Sequence, residues 1–310
     1  TLWSFSEKEA EILRTQRENP LLKGVALPAA LKICTEIACV AEKELVVFAT
    51  PSFAVRETAQ KAAPYLGDGT LVVSVSKGIE KGTSLRLSQI IDEETKGHCR
   101  IVALSGPSHA EEVGRHVPTG CVAASLDREA AEMVQDAFMN ERFRIYSSPD
   151  IVGVELAAAL KNVIALCYGV CDGLGYGDNT RALLMTRGLT ETARLGVAMG
   201  GKKETFAGLA GIGDLIVTAT SMHSRNNRAG ILIGKGESPE QAVKEVGMVV
   251  EGINALPAAM ELAAKYNVEM PIVQTVNAIV KEGMSASDAL RTLMDRNRKN
   301  EMPQGYETAH

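Results

Sequence analysis

The chain has 310 residues, about twice the length of a typical domain, so we expect two domains. Hydrophobic residues make up 45% of the sequence and charged residues 23%, a composition that excludes disordered and fibrous proteins. The net charge of −5 argues against a nucleic-acid partner, because such proteins usually carry a basic surface. The sequence has no apolar run of about 18 residues, no signal-like segment and no Cys-x-x-Cys pair. We therefore expect a soluble, cytoplasmic protein with reduced thiols and no membrane insertion.

The first half of the chain alternates short β-branched runs with helical patterns. This alternation predicts an α/β fold, in which a doubly wound parallel sheet is covered by helices. A weak strand signal lies near Leu31–Thr35. The clearer strands are predicted at Leu45–Thr50, Leu71–Ser76, Arg100–Leu104, Gly120–Ser125 and Phe143–Ser147, and the helices at Ala54–Ala63, Ser84–Thr95 and Glu129–Met139. The runs that begin at Leu45 and Leu71 are almost wholly apolar, as expected for buried parallel strands.

From Asp150 onward the strand signals stop and the chain reads as consecutive helices. Ser238-Pro-Glu-Gln and Ser285-Ala-Ser-Asp are start signals of the capping-box type. The stretch 151–170 is apolar on nearly every face, which predicts a central helix surrounded by others. We predict a partial dinucleotide-binding domain of Rossmann type over residues 1–148 and an all-helical substrate-binding and catalytic domain over residues 149–310. The cleft between them is the expected ligand site.

The start of the chain differs from that of a usual doubly wound domain. Residues 1–4 resemble the end of a strand, whereas such a domain opens with a strand, a Gly-x-Gly-x-x-Gly turn and a helix. That turn normally holds the cofactor pyrophosphate with backbone N–H groups. Because these residues contain no such turn, we expect an N-terminally truncated sheet. A protein consisting of these residues alone should bind a dinucleotide weakly.

Lys161 and Asn162 lie in the middle of the apolar stretch 151–170. One interpretation is a lysine whose stem follows an apolar surface until its ammonium reaches water. The other is a desolvated lysine with a lowered pKa that acts as general acid or base. The residue pattern leaves both interpretations open.

A glycine-rich segment, residues 208–213, precedes Asp214. One interpretation is a tight turn between helices, with Asp214 as the N-cap of the second helix. The other is that Asp214 and Thr218, one helical turn apart, face the same site as Lys161 and hold it by hydrogen bonds.

Three further segments carry donors suited to an anionic ligand. Ser224-Arg-Asn-Asn-Arg has two guanidinium groups that suit bidentate phosphate binding, although a solvated helix surface has the same composition. Lys77 and Ser105-Gly-Pro-Ser each follow a predicted strand, where α/β proteins place ligand-binding residues. A solvated lysine and a plain turn are the alternatives there. The histidines lack metal-ligand spacing and no Gly-x-Ser-x-Gly motif occurs, so we predict no metal and no covalent hydrolase chemistry.

Seven short segments occur together in a fixed order along the chain. They are Ser76-Lys-Gly-Ile-Glu, Ser105-Gly-Pro-Ser, Glu155-Leu-Ala-Ala-Ala-Leu-Lys-Asn-Val, Asp172-Gly-Leu-Gly-Tyr-Gly-Asp-Asn, Gly208-Leu-Ala-Gly-Ile-Gly-Asp-Leu, Ser224-Arg-Asn and Val249-Val-Glu-Gly. In this order they resemble the bacterial-type NAD(P)-dependent glycerol-3-phosphate dehydrogenases over essentially the whole chain. The resemblance implies an oxidoreductase that interconverts dihydroxyacetone phosphate and sn-glycerol 3-phosphate with NAD or NADP, for glycerophospholipid synthesis.

The resemblance also implies roles for individual residues. Lys161 would exchange a proton with the substrate C2 oxygen, Lys77 would bind substrate and stabilise the developing oxyanion, and Asp214 would orient the site. The other substrate-binding residues would be Gly106, Ser108, Asn162, Thr218, Ser224, Arg225 and Asn226. The cofactor would be contacted by Phe53, Lys77, Ala110, Arg225, Val249 and Glu251.

Two other functions are compatible with these residues. A related two-domain β-hydroxyacid dehydrogenase would use the same lysine chemistry on a non-phosphorylated substrate. Arg225 distinguishes the two hypotheses, because only a phosphorylated substrate should need its guanidinium. The third hypothesis is a non-catalytic protein that binds glycerol phosphate. Phe5 stands where relatives often carry a polar or basic residue, so the choice between NAD and NADP stays open. A homodimer is compatible with the apolar helical half.

Overall fold

The computed structural model describes residues 1–301, and the last nine residues of the predicted helical domain lie outside that part. Its first half is the predicted α/β fold of Rossmann type, and its second half is helical. The strands are β1 (Leu2–Trp3), β2 (Ile33–Cys34), β3 (Leu45–Phe48), β4 (Leu71–Ser74), β5 (Arg100–Ser105), β6 (Thr119–Ala124) and β7 (Phe143–Ser148).

The strands form two hydrogen-bonded groups, β1–β2 and a five-stranded sheet in the order β3-β4-β5-β6-β7. All neighbours are parallel except β5 and β6, which are antiparallel, so the prediction of a parallel sheet is wrong for that pair. The connection between β5 and β6 explains the reversal. Its only helix is the four-residue α4 (Ala110–Val113), whereas a parallel return usually runs through a full α-helix.

The helices of the first half are α1 (Glu7–Gln16), α2 (Val55–Ala62), α3 (Leu87–Glu94), α4 and α5 (Arg128–Phe138). Helices α2, α3 and α5 lie where the sequence predicts them. Helix α1 was not predicted, although its start carries a recognisable signal, since Ser6 Oγ accepts a hydrogen bond from Glu9 N at 3.3 Å. A serine followed three residues later by a glutamate is a common helix start.

Strands β3 and β4 differ in burial despite similar apolar sequences. All four residues of β4 are buried, as predicted. Strand β3 pairs with β4 alone among the described strands, and its Val47 is 42% exposed, so the prediction of a buried strand is wrong for β3. Burial depends on what covers a strand, which the strand's own sequence does not contain.

The second half of the chain is built around helix α6 (Ile151–Gly173), in which all but three residues are buried. Its most apolar window is 94% buried inside the fold, so α6 is a core helix although its length and composition would suit a membrane. Ser238 and Ser285 cap their helices as predicted. The remaining helices are α7 (Asp178–Ala198), α8 (Lys203–Phe206), α9 (Asp214–Thr220), α10 (Arg225–Gly234), α11 (Pro239–Val246), α12 (Glu251–Lys265), α13 (Pro271–Lys281) and α14 (Ala286–Met294).

Helices α6 and α10 contact each other through paired glycines. A Cβ atom on Gly169 or Gly173 of α6 would lie 2.1 or 2.3 Å from a carbonyl oxygen of α10. Reciprocally, a Cβ on Gly230 or Gly234 of α10 would lie 2.2 or 2.3 Å from a carbonyl oxygen of α6. The two backbones therefore touch directly, which only glycine allows at these four positions.

A buried carboxylate joins helices α7 and α13. Glu191 is 3% exposed, and its two oxygens accept hydrogen bonds from Ile272 N at 2.9 and 3.0 Å. The side chain thus caps the first turn of α13. Burial raises the pKa of Glu191 to about 7, against the opposing effect of these backbone bonds.

Candidate active site

Lys161 lies at the centre of α6, and its side chain is only 7% exposed. Its ammonium donates to Asp214 Oδ1 and, at 2.6 Å, to Thr218 Oγ1. The interpretation of a lysine that reaches solvent is therefore wrong. Burial lowers the pKa of Lys161 to about 7, although the Asp214 charge opposes that fall. A lysine with this pKa can both donate and accept a proton near neutral pH.

Asp214 receives both lysines of the site on its two carboxylate oxygens. Lys161 binds Oδ1, and Lys77 Nζ donates to Oδ2 at 2.8 Å. The carboxylate is 1% exposed; burial raises its pKa, but the two ammonium groups outweigh burial and hold the pKa below its usual value. The interpretation of Asp214 as a helix N-cap is wrong, because it is the first residue of α9 and makes no capping bond.

The glycine-rich segment before Asp214 forms a π-helical turn over Leu209–Gly213. Within it, a Cβ on Gly211 would lie 2.1 Å from the carbonyl oxygen of Phe206, the last residue of α8. The glycine lets the turn pass against α8 and so sets where Asp214 enters α9. Single π-turns of this kind often occur at functional sites.

Lys77 and Gly106 follow β4 and β5, so both lie at the carboxyl edge of the parallel strands. Lys77 Nζ donates to the Gly106 carbonyl at 3.1 Å, and Ser108 Oγ donates to the same carbonyl at 3.0 Å. Gly106 has a φ of 153°, and a Cβ there would lie 2.9 Å from Gly120 O. Glycine is required at this turn, and the turn brings the strand edge against the helical half.

Among the described residues, each of the two ammonium groups has one hydrogen without an acceptor. An ammonium has three N–H donors, and Lys161 and Lys77 each use two of them within the protein. When both lysines are protonated, two positive groups on one buried carboxylate leave a net positive charge at the cleft. The arrangement suits an oxygen that becomes negative during a reaction.

The start of α10 carries the predicted phosphate-binding residues. Ser224 caps the helix by accepting a hydrogen bond from Asn227 N at 3.2 Å. Within residues 1–301, the Arg225 guanidinium forms no hydrogen bond or ion pair, so its donors are available to an anion. A helix N-terminus with an available guanidinium is a favourable place for a phosphate.

Asn162 and Asn226 contact each other rather than the lysines. Asn226 Nδ2 donates to Asn162 Oδ1 at 3.0 Å, and Asn226 Oδ1 accepts from Gly252 N at 2.8 Å. Both side chains are nearly buried. The expectation that they bind substrate stays a prediction.

The predicted cofactor residues meet in part. Glu251, the first residue of α12, accepts a hydrogen bond from Ser52 Oγ at 2.8 Å, and the neighbouring Phe53 is 69% exposed. Gly78, next to Lys77, lies so close that a Cβ on it would be 2.4 Å from Ser52 Cβ. The exposed Ala110 and half-buried Val249 have no recorded bond to this group, and their roles stay predictions.

These residues lie at the strand ends where the sequence predicts a dinucleotide cofactor. Phe53 presents an exposed ring just after β3, where open α/β sheets bind ligands. Three buried hydroxyl oxygens near the same strand ends, on Thr50, Ser74 and Ser105, have no hydrogen-bond partner among the described residues. Buried hydroxyl groups without a partner are rare in proteins, and one explanation for them is a functional role at the site.

A separate cavity of about 430 Å³ adjoins Ser108 and Ala110. Its lining is mostly apolar, includes Phe138 and Phe143, and contains neither Lys161 nor Asp214. The two lysines and Asp214 therefore lie outside this cavity.

Sequence reasoning overlooked Glu155, which ties α6 to the first half of the chain. Its carboxylate accepts hydrogen bonds from Ser88 N at 2.8 Å and Ser88 Oγ at 2.6 Å, and pairs with Arg86. Because Glu155 lies on the same helix as Lys161, this contact fixes the lysine relative to the strand edge. A carboxylate within an apolar helix was the available signal.

Comparison with known proteins places the chain in a family. The sequence profile described as the NAD-dependent glycerol-3-phosphate dehydrogenase N-terminus matches residues 1–131, and that described as the C-terminus matches residues 150–291. A glycerol-3-phosphate dehydrogenase [NAD(P)+] of Moorella thermoacetica is 53% identical over 306 residues, which cover 98% of this chain and 91% of the relative. One from Lactobacillus delbrueckii subsp. bulgaricus is 52% identical over 308 residues, covering 97% and 91%.

A solved structure agrees with these matches. Glycerol-3-phosphate dehydrogenase from Coxiella burnetii has a TM-score of 0.91 and 34% identity, covering 95% of this chain and 91% of its own. The fold and the sequence matches are those of a dehydrogenase that uses a nicotinamide cofactor. The chain belongs to the family of NAD-dependent glycerol-3-phosphate dehydrogenases.

Proposed function

We propose that this chain interconverts dihydroxyacetone phosphate and sn-glycerol 3-phosphate, with Lys161 as the group that gives and takes the proton at the C2 oxygen. The observation that carries the proposal is the buried Lys161 ammonium, held by Asp214 and Thr218 with one N–H left over. Its pKa of about 7 lets it serve as acid during reduction and as base during oxidation.

Lys77 and Asp214 prepare the site for charge on the C2 oxygen. Lys77 donates to the Asp214 carboxylate and would offer its remaining N–H to the same C2 oxygen. Groups already in place for the developing charge stabilise a transition state without reorganising. Asp214 contacts both lysines and keeps them at a fixed separation.

The phosphate of the substrate would bind at the start of α10. Ser224 and Arg225 supply a hydroxyl, a guanidinium and a helix N-terminus, and the turn with Gly106 and Ser108 closes the other side. The Arg225 guanidinium, which has no hydrogen-bond or ion-pair partner among residues 1–301, supports this placement. It also favours a phosphorylated substrate over the non-phosphorylated one of a β-hydroxyacid dehydrogenase.

The bound cofactor, NAD or NADP, supplies or removes a hydride at its nicotinamide ring. Phe53, Lys77 and Glu251 would hold that end of it, and Ala110, Arg225 and Val249 complete the proposed contacts. We assign residues 1–148 to the cofactor-binding domain and residues 149–310 to the substrate-binding domain. The six cysteines are free thiols, which supports the cytoplasm as the compartment.

Consumption of NADH on addition of dihydroxyacetone phosphate tests the proposal. Wild-type protein should show it, and Lys161→Ala should abolish it. Lys281→Ala, the same change at an exposed lysine at the end of α13, is the matched control and should behave as wild type. Equal activity of wild type and Lys161→Ala would overturn the proposed role.

Arg225→Ala separates the phosphorylated substrate from its alternative. The substitution should raise the KM for dihydroxyacetone phosphate at least about tenfold, because a charged hydrogen bond is lost. Its effect on unphosphorylated dihydroxyacetone should be small. Equal effects on both ketones would contradict phosphate binding by Arg225.

A further inference from the structure

Asn226 connects three helices of the cleft. It lies in the first turn of α10 and is 7% exposed. Its Nδ2 donates to Asn162 on α6, and its Oδ1 accepts from the backbone N of Gly252 on α12. One side-chain amide therefore links the helix of Lys161, the helix of Arg225 and the helix of Glu251.

The contact with Gly252 takes the place of a helix cap. The N-cap residue of α12, Val250, makes no side-chain capping bond, so the first backbone amides of α12 need a partner from elsewhere. Asn226 Oδ1 supplies it at 2.8 Å. The approach is tight, because a Cβ on Gly252 would lie 2.5 Å from Asn162 O and 3.0 Å from Asn226 Oδ1.

The first residue of α12 is Glu251, which reaches across the cleft. Its carboxylate accepts a hydrogen bond from Ser52 Oγ at 2.8 Å, in the turn after β3 that carries Phe53. The position of Glu251 depends on where α12 begins. That start is held by the amide of Asn226.

We propose that Asn226 is a positioning residue for cofactor binding. It does not contact the cofactor, and it acts by fixing the start of α12 and, with it, Glu251. The inference rests on the proposed function. Asn226 Oδ1 accepts from Gly252 N, and Nδ2 donates one of its two hydrogens to Asn162 Oδ1, so the positioning role rests on the bond to Gly252. Asn226 also adjoins Arg225, so it ties the phosphate end of the cleft to the cofactor end.

The test measures NADH affinity of the whole protein in the absence of substrate, by titration of nicotinamide fluorescence. Asn226→Ala removes both links, and we expect the Kd for NADH to rise about tenfold. Asn226→Asp keeps an oxygen that accepts from Gly252 N, and a carboxylate is favoured at a helix N-terminus. This conservative variant should bind NADH within about threefold of wild type.

A buried asparagine beside the site provides the matched control. Asn227 is also buried, and its Nδ2 donates to Ala219 O at 2.7 Å without reaching α12. Asn227→Ala should lower thermal stability and leave the Kd for NADH unchanged. If both alanine variants weaken NADH binding equally, Asn226 has only a structural role and the inference fails.

A double-mutant cycle tests whether Asn226 acts through Glu251. Glu251→Ala should weaken NADH binding, and adding Asn226→Ala should then change the Kd less than about twofold, because coupled residues are not additive. Additive effects would overturn the inference. So would an Asn226→Ala protein with the wild-type Kd for NADH and a raised KM for dihydroxyacetone phosphate. A wild-type protein that binds no NADH would instead refute the proposed function.

Discussion

Asp214→Asn tests whether the buried carboxylate sets the proton affinity of Lys161. In the wild type, burial lowers the pKa of Lys161 to about 7 and the Asp214 charge opposes that fall. Asparagine keeps the shape of the side chain and removes the charge, so the pKa of Lys161 should fall below about 7. Reduction of the ketone needs the protonated lysine, so activity should be lost at the high-pH side first.

The size of the expected loss of activity follows from the fraction of molecules in which Lys161 is protonated. At pH 7.5 a lysine with a pKa of about 7 is protonated in about one quarter of the molecules, and each further unit lowers this fraction about tenfold. An opposite charge within hydrogen-bonding distance typically shifts a pKa by about 1–3 units. We therefore expect the pH midpoint of kcat/KM for dihydroxyacetone phosphate to move down by at least about one unit, and activity at pH 7.5 to fall about tenfold or more.

The assay is the initial rate of NADH consumption from pH 6 to 9 at saturating NADH. Asp172→Asn is the matched control, because Asp172 lies at the end of α6 and pairs with Arg181 outside the cleft at 2.6 Å. Its pH profile should equal that of wild type. A slower Asp214→Asn protein with an unmoved pH midpoint would refute the reasoning, because Asp214 would then orient Lys161 without changing its proton affinity.

Three further changes test the site and its support. Thr218→Val removes one acceptor of Lys161 and should lower kcat/KM about tenfold, since hydrogen bonds to charged groups are worth about 1.5–3 kcal/mol; unchanged initial rates would contradict this. The folded pKa of Glu191 is raised from 4.5 to about 7, so its stabilisation is complete below about pH 4.5 and is lost as the pH rises through about 7. In urea titrations from pH 5 to 8, the free energy of unfolding of the wild type should fall by up to about 3 kcal/mol relative to that of Glu191→Gln. An equal pH dependence of the two proteins would contradict the raised pKa of Glu191. Gly230→Ala should lower stability by about 1–3 kcal/mol in thermal melts, whereas Gly177→Ala, which has open space around it, should not; equal melts would exclude a tight α6–α10 contact.

Local patterns in the sequence were sufficient for most elements of the fold. The apolar run of α6 and the caps at Ser238 and Ser285 depend on residues within a few positions of each other, so the sequence contains them. The direction of β6 and the exposure of Val47 depend on the path of a connection and on what covers a strand. These are properties of the assembled sheet, and no strand sequence carries them.

The candidate site could likewise be predicted only as far as local sequence patterns reach. A lysine inside an apolar helix drew attention to Lys161, and the spacing of Asp214 and Thr218 suggested that they share one face. The choice between a buried and a solvent-reaching lysine required knowing that α9 packs on α6. The link from Asn226 to Gly252 has no local pattern, because it arises where three helices meet.

The glycine contact between α6 and α10 has a consequence for how the protein tolerates change. Because the two helices meet backbone to backbone at these glycines, the spacing between α6 and α10 does not depend on the rotamer of any side chain there. Substitutions elsewhere in the helical core can alter its volume without altering that distance. Lys161 and the start of α10 should therefore keep their separation in sequences whose cores have diverged widely, as long as the four glycines remain.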